Sequence, residues 1–187
     1  MSEELGEGPL PELMARLATR GWVAPSDSIL VVCGGPRDRN ALAAAGFTDV
    51  HVTSLEADLE EGIEEMDTHA ISFDDGTFDI VLVNAGLHHC HAPHQALAEM
   101  HRVARKAVIV LEAQDSACVR LLVHLGMLLD YECAAVASND YRAGGVDNTA
   151  LPNYIYRWTR REIEKTIRAL DPAHEPVSYT HLTLPTN

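Results

Sequence analysis

Ser28-Ile29-Leu30-Val31-Val32-Cys33-Gly34-Gly35-Pro36-Arg37-Asp38 is a short apolar, β-branched run that stops at two glycines and passes into helix-forming text. It reads as strand, glycine turn and helix, with residues 38–45 helical in composition and Gly46 ending them. Working outward, the pattern repeats. Residues 49–53 are a second β-rich run, 78–83 a third that is apolar at its centre, and 107–111 another. Runs apolar on both faces belong in a buried parallel sheet, because a sheet with one wet face alternates. Residues 93–104 read as a helix with Leu97, Met100, Val103 and Ala104 on one face. Beyond the last strand, 116–129 is a strongly apolar helix, 144–153 a loop, and 159–170 a charged helix that Thr159 caps. Alternation at this spacing predicts an α/β fold, a doubly wound, mostly parallel sheet, in a single domain over residues 1–176.

The 187 residues, 47% hydrophobic and 22% charged, suffice for one sizeable core. Twenty-eight Asp and Glu against 14 Lys and Arg leave a formal charge of -14, which repels polyphosphate backbones and anionic surfaces. Neither nucleic acid nor membrane is an expected partner. No apolar run nears the roughly 20 residues that span a bilayer, and the acidic start Met1-Ser2-Glu3-Glu4 is unlike a secretory signal, so a cytoplasmic protein is expected. Cys33, Cys90, Cys118 and Cys133 form no C-x-x-C pair, which argues against a disulfide framework or a thiolate zinc centre. Residues 177–187 break from the helical text before them, and 177–186 match the translation of a transposase adapter used in sequencing libraries. They read as a non-native tail on a chain truncated near Pro176.

In a doubly wound sheet, ligands bind beyond the carboxyl ends of the strands, where strand order reverses. Cys33-Gly34-Gly35 lies at the end of the first strand, where missing side chains let backbone approach a ligand. Glu56 follows the second strand at about the distance from which an acid accepts from ribose hydroxyls. Asp67 precedes the third apolar strand and Asn84-Ala85-Gly86 closes it. Each has a plainer reading: a tight turn for the glycines, a solvated charge run 56–61 for Glu56, a turn for Asp74-Asp75-Gly76. Together the four positions outline a nucleoside pocket.

The stretch Asp67-Thr68-His69-Ala70-Ile71-Ser72-Phe73-Asp74-Asp75-Gly76-Thr77-Phe78-Asp79-Ile80-Val81 resembles the D-A-E-x-L-P-F-x-D-G-S-F-D-x-V segment of the class I S-adenosylmethionine-dependent methyltransferases. Leu87-His88-His89 and Glu99-Met100-His101-Arg102-Val103 are similar to that family's L-x-H and E-x-x-R-V, and the resemblance spans roughly residues 29–112. It implies a Rossmann-like methyltransferase fold, S-adenosyl-L-methionine as cofactor, and in-line transfer to a small-molecule acceptor. By the same resemblance Asp67 accepts from the adenine amino group, Thr68 meets the ring through its backbone, Glu56 holds the ribose, and Asn84 borders the pocket. The chain departs from the family at the first motif, where Val31-Val32-Cys33-Gly34-Gly35-Pro36-Arg37 stands for D/E-x-G-x-G-x-G. Asp38 is then either a substitute carboxylate for the ligand's ammonium or a helix cap. Arg102-Val103-Ala104-Arg105-Lys106-Ala107 replaces the family's R-V-L-K-P-G-G turn, and the antiparallel sixth and seventh strands are expected to be missing.

The histidine-rich segment 84–94 invites a metal reading, but neighbouring ligands do not all turn to one ion and no nearby carboxylate is evident, so no metal is expected. His88 and His89 are read either as loop histidines that only hydrogen-bond or as the source of a general base on the substrate side. Two other functions stay open: a catalytically inactive methyltransferase fold used as a binding module, and a nicotinamide-dependent oxidoreductase, which the lack of a G-x-G-x-x-G nest disfavours.

Overall fold

The computed structural model describes residues 9–55 and 61–173. Strands β1 (Ile29–Val32), β2 (Val50–Ser54), β3 (Ile63–Glu65), β4 (Phe78–Asn84) and β5 (Ala104–Leu111) form one sheet in the order β3-β2-β1-β4-β5. Every pairing in it is parallel, and no antiparallel strand occurs among the described residues. The helices are α1 (Pro9–Thr19), α2 (Pro36–Ala44), α3 (Pro93–Val103), α4 (Ala117–His124), α5 (Cys133–Ser138) and α6 (Arg160–Leu170). From β1 the chain steps outward through β2 to β3, then returns to lay β4 on the other side of β1. That reversal leaves a crevice between the carboxyl ends of β1 and β4, the topological switch point.

The central strands have no wet face, which is why their sequences run apolar without alternation. On one side Leu30, Val32, Val81 and Val83 pack with Leu97, Met100 and Val103 of α3 and with Trp158 and Ile167. On the other, Ile29, Val31, Ile80 and Leu82 pack with Met14 of α1, Leu42 of α2 and Phe47. Successive residues thus serve two cores, as the period of two requires.

Four features differ from the sequence expectation. β3 and α5 carry no strong pattern, whereas α1 has a helical apolar stripe, Leu10, Leu13, Met14 and Leu17, that the sequence expectation does not include. The helix expected over 116–129 ends at His124, where the chain turns through Gly126 at φ 70°. Its apolar residues are not core: Leu125, Met127 and Leu129 are exposed. The rebuilt corner before β5 contains no loop at all, since α3 ends at Val103 and β5 begins at Ala104. A bulge takes up the register: Ala104 pairs with Phe78 and Ala107 with Ile80, so Arg105 and Lys106 together oppose Asp79. Arg105 Nη2 donates to Asp79 at 2.8 Å and Lys106 Nζ to Asp27 at 2.8 Å. No helix of the described residues is long and apolar enough to cross a membrane.

Candidate cofactor and acceptor site

Both turns that bound the crevice are left-handed at a residue with a side chain, Cys33 at φ 50° after β1 and Ala85 at φ 54° after β4. Such a conformation costs roughly 1–2 kcal/mol outside glycine, and its occurrence on both lips marks a locally over-determined site. Gly86 lets the lips meet: a Cβ there would lie 2.5 Å from Cys33 Cβ. A Cβ on Gly34 would lie 2.6 Å from Val31 Cγ1, whereas Gly35 has nothing within 4 Å and offers open backbone. The Gly34 N–H donates to the Thr53 carbonyl at 2.9 Å. Cys33 Sγ is 3.3 Å from Thr68 Oγ1 and 3.9 Å from Cys90 Sγ. The glycine turn, the end of β2 and Thr68 are therefore brought together.

Asp67 keeps part of its carboxylate free. Its Oδ1 accepts from the His69 N–H at 2.9 Å and from His69 Nδ1 at 2.7 Å, while Oδ2 has no partner among the described residues. Burial pushes the carboxyl pKa up, but the His69 donors outweigh it and hold it below the usual range. Asp38 is the third residue of α2, and its Oδ2 accepts from the Gly35 N–H at 3.0 Å, half of a capping box. Its Oδ1 accepts from Asn84 Nδ2 at 2.8 Å, so Asp38 and Asn84 tie α2 to the end of β4. Glu56 lies outside the described residues.

His88 and His89 sit in a 3-10 turn, Leu87–His89, and engage a different set of residues, on the β5 side. His88 Nδ1 is 3.0 Å from Glu112 Oε2, and Glu112 Oε1 accepts from the Leu87 N–H at 2.6 Å. His88 Nε2 and His89 Nε2 lie 3.4 Å and 3.6 Å from the same atom, Glu132 Oε2. Burial lowers the His88 pKa, but its hydrogen bond to Glu112 and the charges of Glu112 and Glu132 reverse the direction and raise it. Burial, and then the neighbouring His88, lower that of His89.

The loop carrying Asp147 and Asn148 crosses the rim. Asn148 Nδ2 donates to the Leu55 carbonyl at 3.2 Å and Asp147 Oδ1 accepts from the His91 N–H at 3.2 Å. Glu112 directly follows β5 and obeys the same rule that singled out Asn84; Glu132 and Asp147 come from loops distant in sequence and carry no local signal. The E-x-x-R-V residues are structural. Arg102 donates to Glu99 and to the carbonyls of Ile71 and Phe73, and Glu99 accepts from the Ile71 N–H, pinning the loop that begins at Asp67.

Residues 33–111 match the family model described as Methyltransferase domain. Among solved structures, a protein of Bacillus halodurans C-125 assigned to the methyltransferases superposes with a TM-score of 0.54 at 18% identity, covering 83% of this chain and 67% of that one. The YcgJ protein of Bacillus subtilis gives 0.53 at 15% identity over 84% of this chain and 67% of its own. A protein of Pyrococcus horikoshii OT3 gives 0.53 at 13% identity over 89% and 84%. No curated protein sequence matches the chain. The fold, with its crevice between β1 and β4, is the Rossmann-like methyltransferase fold shared with these structures. The stretch from Cys33 to Leu111 is thus similar to the methyltransferase-domain family over less than half of the chain.

Proposed function

We propose that the chain binds S-adenosylmethionine across the ends of β1, β2 and β4 and transfers its methyl group to a small-molecule acceptor. The observation that carries this reading is the convergence of Cys33, Thr68 and the open backbone of Gly35 on one lip of the switch point, next in the chain to Asp67, whose Oδ2 has no partner among the described residues. These residues fit the adenosine half of the cofactor: Asp67 Oδ2 accepts from the adenine amino group, Thr68 meets the ring through its backbone, Gly35 allows close approach, and Glu56 takes the ribose hydroxyls. The fit weakens at the methionine half. Val31 is fully buried where the family carries an acid, and Asp38 is the carboxylate at that lip. Holding the ammonium requires Asp38 to add an acceptor bond to those from Gly35 and Asn84, within the four lone-pair sites of a carboxylate.

The bound cofactor supplies an activated leaving group, so the protein's task is geometric. The Asp147–Asn148 loop closes the rim and excludes water, while His88 and His89 line the acceptor side. Calorimetry with S-adenosylmethionine and S-adenosylhomocysteine tests the reading: saturable binding of both is expected, weakened at least about tenfold in Asp67→Ala, one lost charge-assisted hydrogen bond. If neither binds, the buried Val31 instead favours the second reading, a methyltransferase fold that serves as a binding module without catalysis.

A further inference from the structure

Two histidine clusters stand on the rim, and hydrogen-bond accounting separates them. In the first, His69 Nδ1 donates to Asp67 and its Nε2 accepts from the Ala92 N–H at 3.2 Å. Both nitrogens of His69 are spent, and His91 Nδ1 closes on Asp147 at 2.6 Å as an ordinary hydrogen bond. In the second, His88 Nδ1 is turned to Glu112, a carboxylate only 2% exposed, so the neutral ring donates there and presents the Nε2 lone pair to Glu132. His89 Nδ1 faces the amide of Asn153, a fully buried residue whose Oδ1 has no partner. Turning that amide end for end lets its oxygen accept from His89 Nδ1–H, which again leaves Nε2 with the lone pair.

With both rings neutral in these tautomers, three electron-pair donors face one another, Nε2 of His88, Nε2 of His89 and Oε2 of Glu132. The spacing agrees. His88 Nε2 and His89 Nε2 stand 3.4 Å and 3.6 Å from Glu132 Oε2, beyond the 2.7 Å of the His51–Glu64 pair. Ligands at zinc's bond lengths of about 2.0–2.2 Å in a tetrahedron are separated by roughly 3.3–3.5 Å. The three ligand atoms lie within 4.8 Å of one another. Adjacent histidines do turn to one point here, because the 3-10 turn stacks their rings at 4.4 Å, and the carboxylate that sequence did not reveal is supplied by Glu132, itself positioned by its N–H on the Asn153 carbonyl at 3.0 Å.

We propose that His88 Nε2, His89 Nε2 and Glu132 Oε2 form a binding site for a zinc-class divalent cation, with the fourth position open. Two imidazoles and one carboxylate are the donor set of catalytic rather than structural zinc. Glu112 behind His88 makes the carboxylate–histidine–metal relay that orients a ligand ring, and the dication balances Glu112 and Glu132. The partial exposure of His89 and Glu132 leaves the open position accessible. The cation site stands without methyl transfer; resting on the function proposed above, its open position also selects an acceptor that carries a hydroxyl or thiol.

The test uses the full chain, stripped with chelator and titrated with zinc chloride by calorimetry, with bound zinc counted by elemental mass spectrometry after dialysis. One zinc per chain is expected, with affinity lowered at least about tenfold in His89→Ala and in Glu132→Gln, and unchanged in the double variant His91→Ala, Asp147→Ala. Circular dichroism checks folding, and Glu132→Gln, at a partly exposed side chain of equal shape, keeps the test valid if His89→Ala does not fold. Cobalt substitution is expected to show no thiolate charge-transfer band. Absence of stoichiometric zinc, zinc that survives both ligand variants, or a thiolate band from Cys33 or Cys90 overturns the proposal. Titrating the same samples with S-adenosylmethionine reads the methyltransferase function separately.

Discussion

At the scale of single residues, the crevice is set by what Gly86 lacks. Replacing it with alanine puts a methyl 2.5 Å from Cys33 Cβ and 3.0 Å from Val83 Cγ2, a backbone-borne group and a core side chain with little room to yield. Gly86→Ala is expected to cost about 1–3 kcal/mol, as overpacked sites do, read as a fall in the urea midpoint at constant slope. The same substitution at Gly35, where nothing stands within 4 Å, is expected to leave stability nearly unchanged. Asp38 teaches a related lesson. Sequence allowed it two roles, ligand carboxylate or cap, and the structure engages it as a cap while leaving lone pairs over. Composition could not distinguish the two, because both use the same atoms.

At the scale of elements, Arg102 joins α3 to the 71–75 segment through Glu99, Asp75 and two carbonyls. Arg102→Ala strands those acceptors and is expected to destabilise by about 2–4 kcal/mol. The Arg102 hydrogen bond holds the Glu99 carboxyl below its ordinary 4.5, so the stability it contributes is present above that value and is lost as pH falls through the lower folded value. The gap between wild type and Arg102→Ala is therefore expected to narrow in urea melts between about pH 7 and about pH 3. β1 and β4 were legible because burial on both faces writes an unbroken apolar run, and β5 because Ala107 to Leu111 is apolar although most of that edge strand is only half-buried. β3 was not, since Ile63-Glu64-Glu65 is an edge strand whose side chains are mostly solvated. The apolar text of α4 does not mark burial: Leu121 within it and Leu125 just after it are exposed. The turns that bound the crevice were legible from their position after strands, whereas the carboxylate opposite His88 and His89 arrives from α5's N-terminal side, a tertiary fact without a local trace.

At the scale of the whole molecule, the two ends of the sheet divide the labour. Its carboxyl end gathers the strained turns, the histidines and the loop across the rim. Its amino end is riveted by hydrogen bonds from Ser28 to Asp79 and by the ion pairs of Asp79 with Arg105 and of Asp27 with Lys106. The direct passage from α3 into β5 adds a mechanical consequence. With no loop to give, the bulge at Arg105 and Lys106 is where the chain keeps one residue of slack. Deleting Lys106 draws that slack in: Ala107 stays opposite Ile80, and only the tie to Asp27 is lost. Deleting Val108 instead slips the rest of the strand by one place and turns its inward side chains out. The first deletion is expected to fold with a modest drop in melting temperature and the second to fail in refolding, so that a length change of equal size is absorbed or refused according to which side of one short kink it falls.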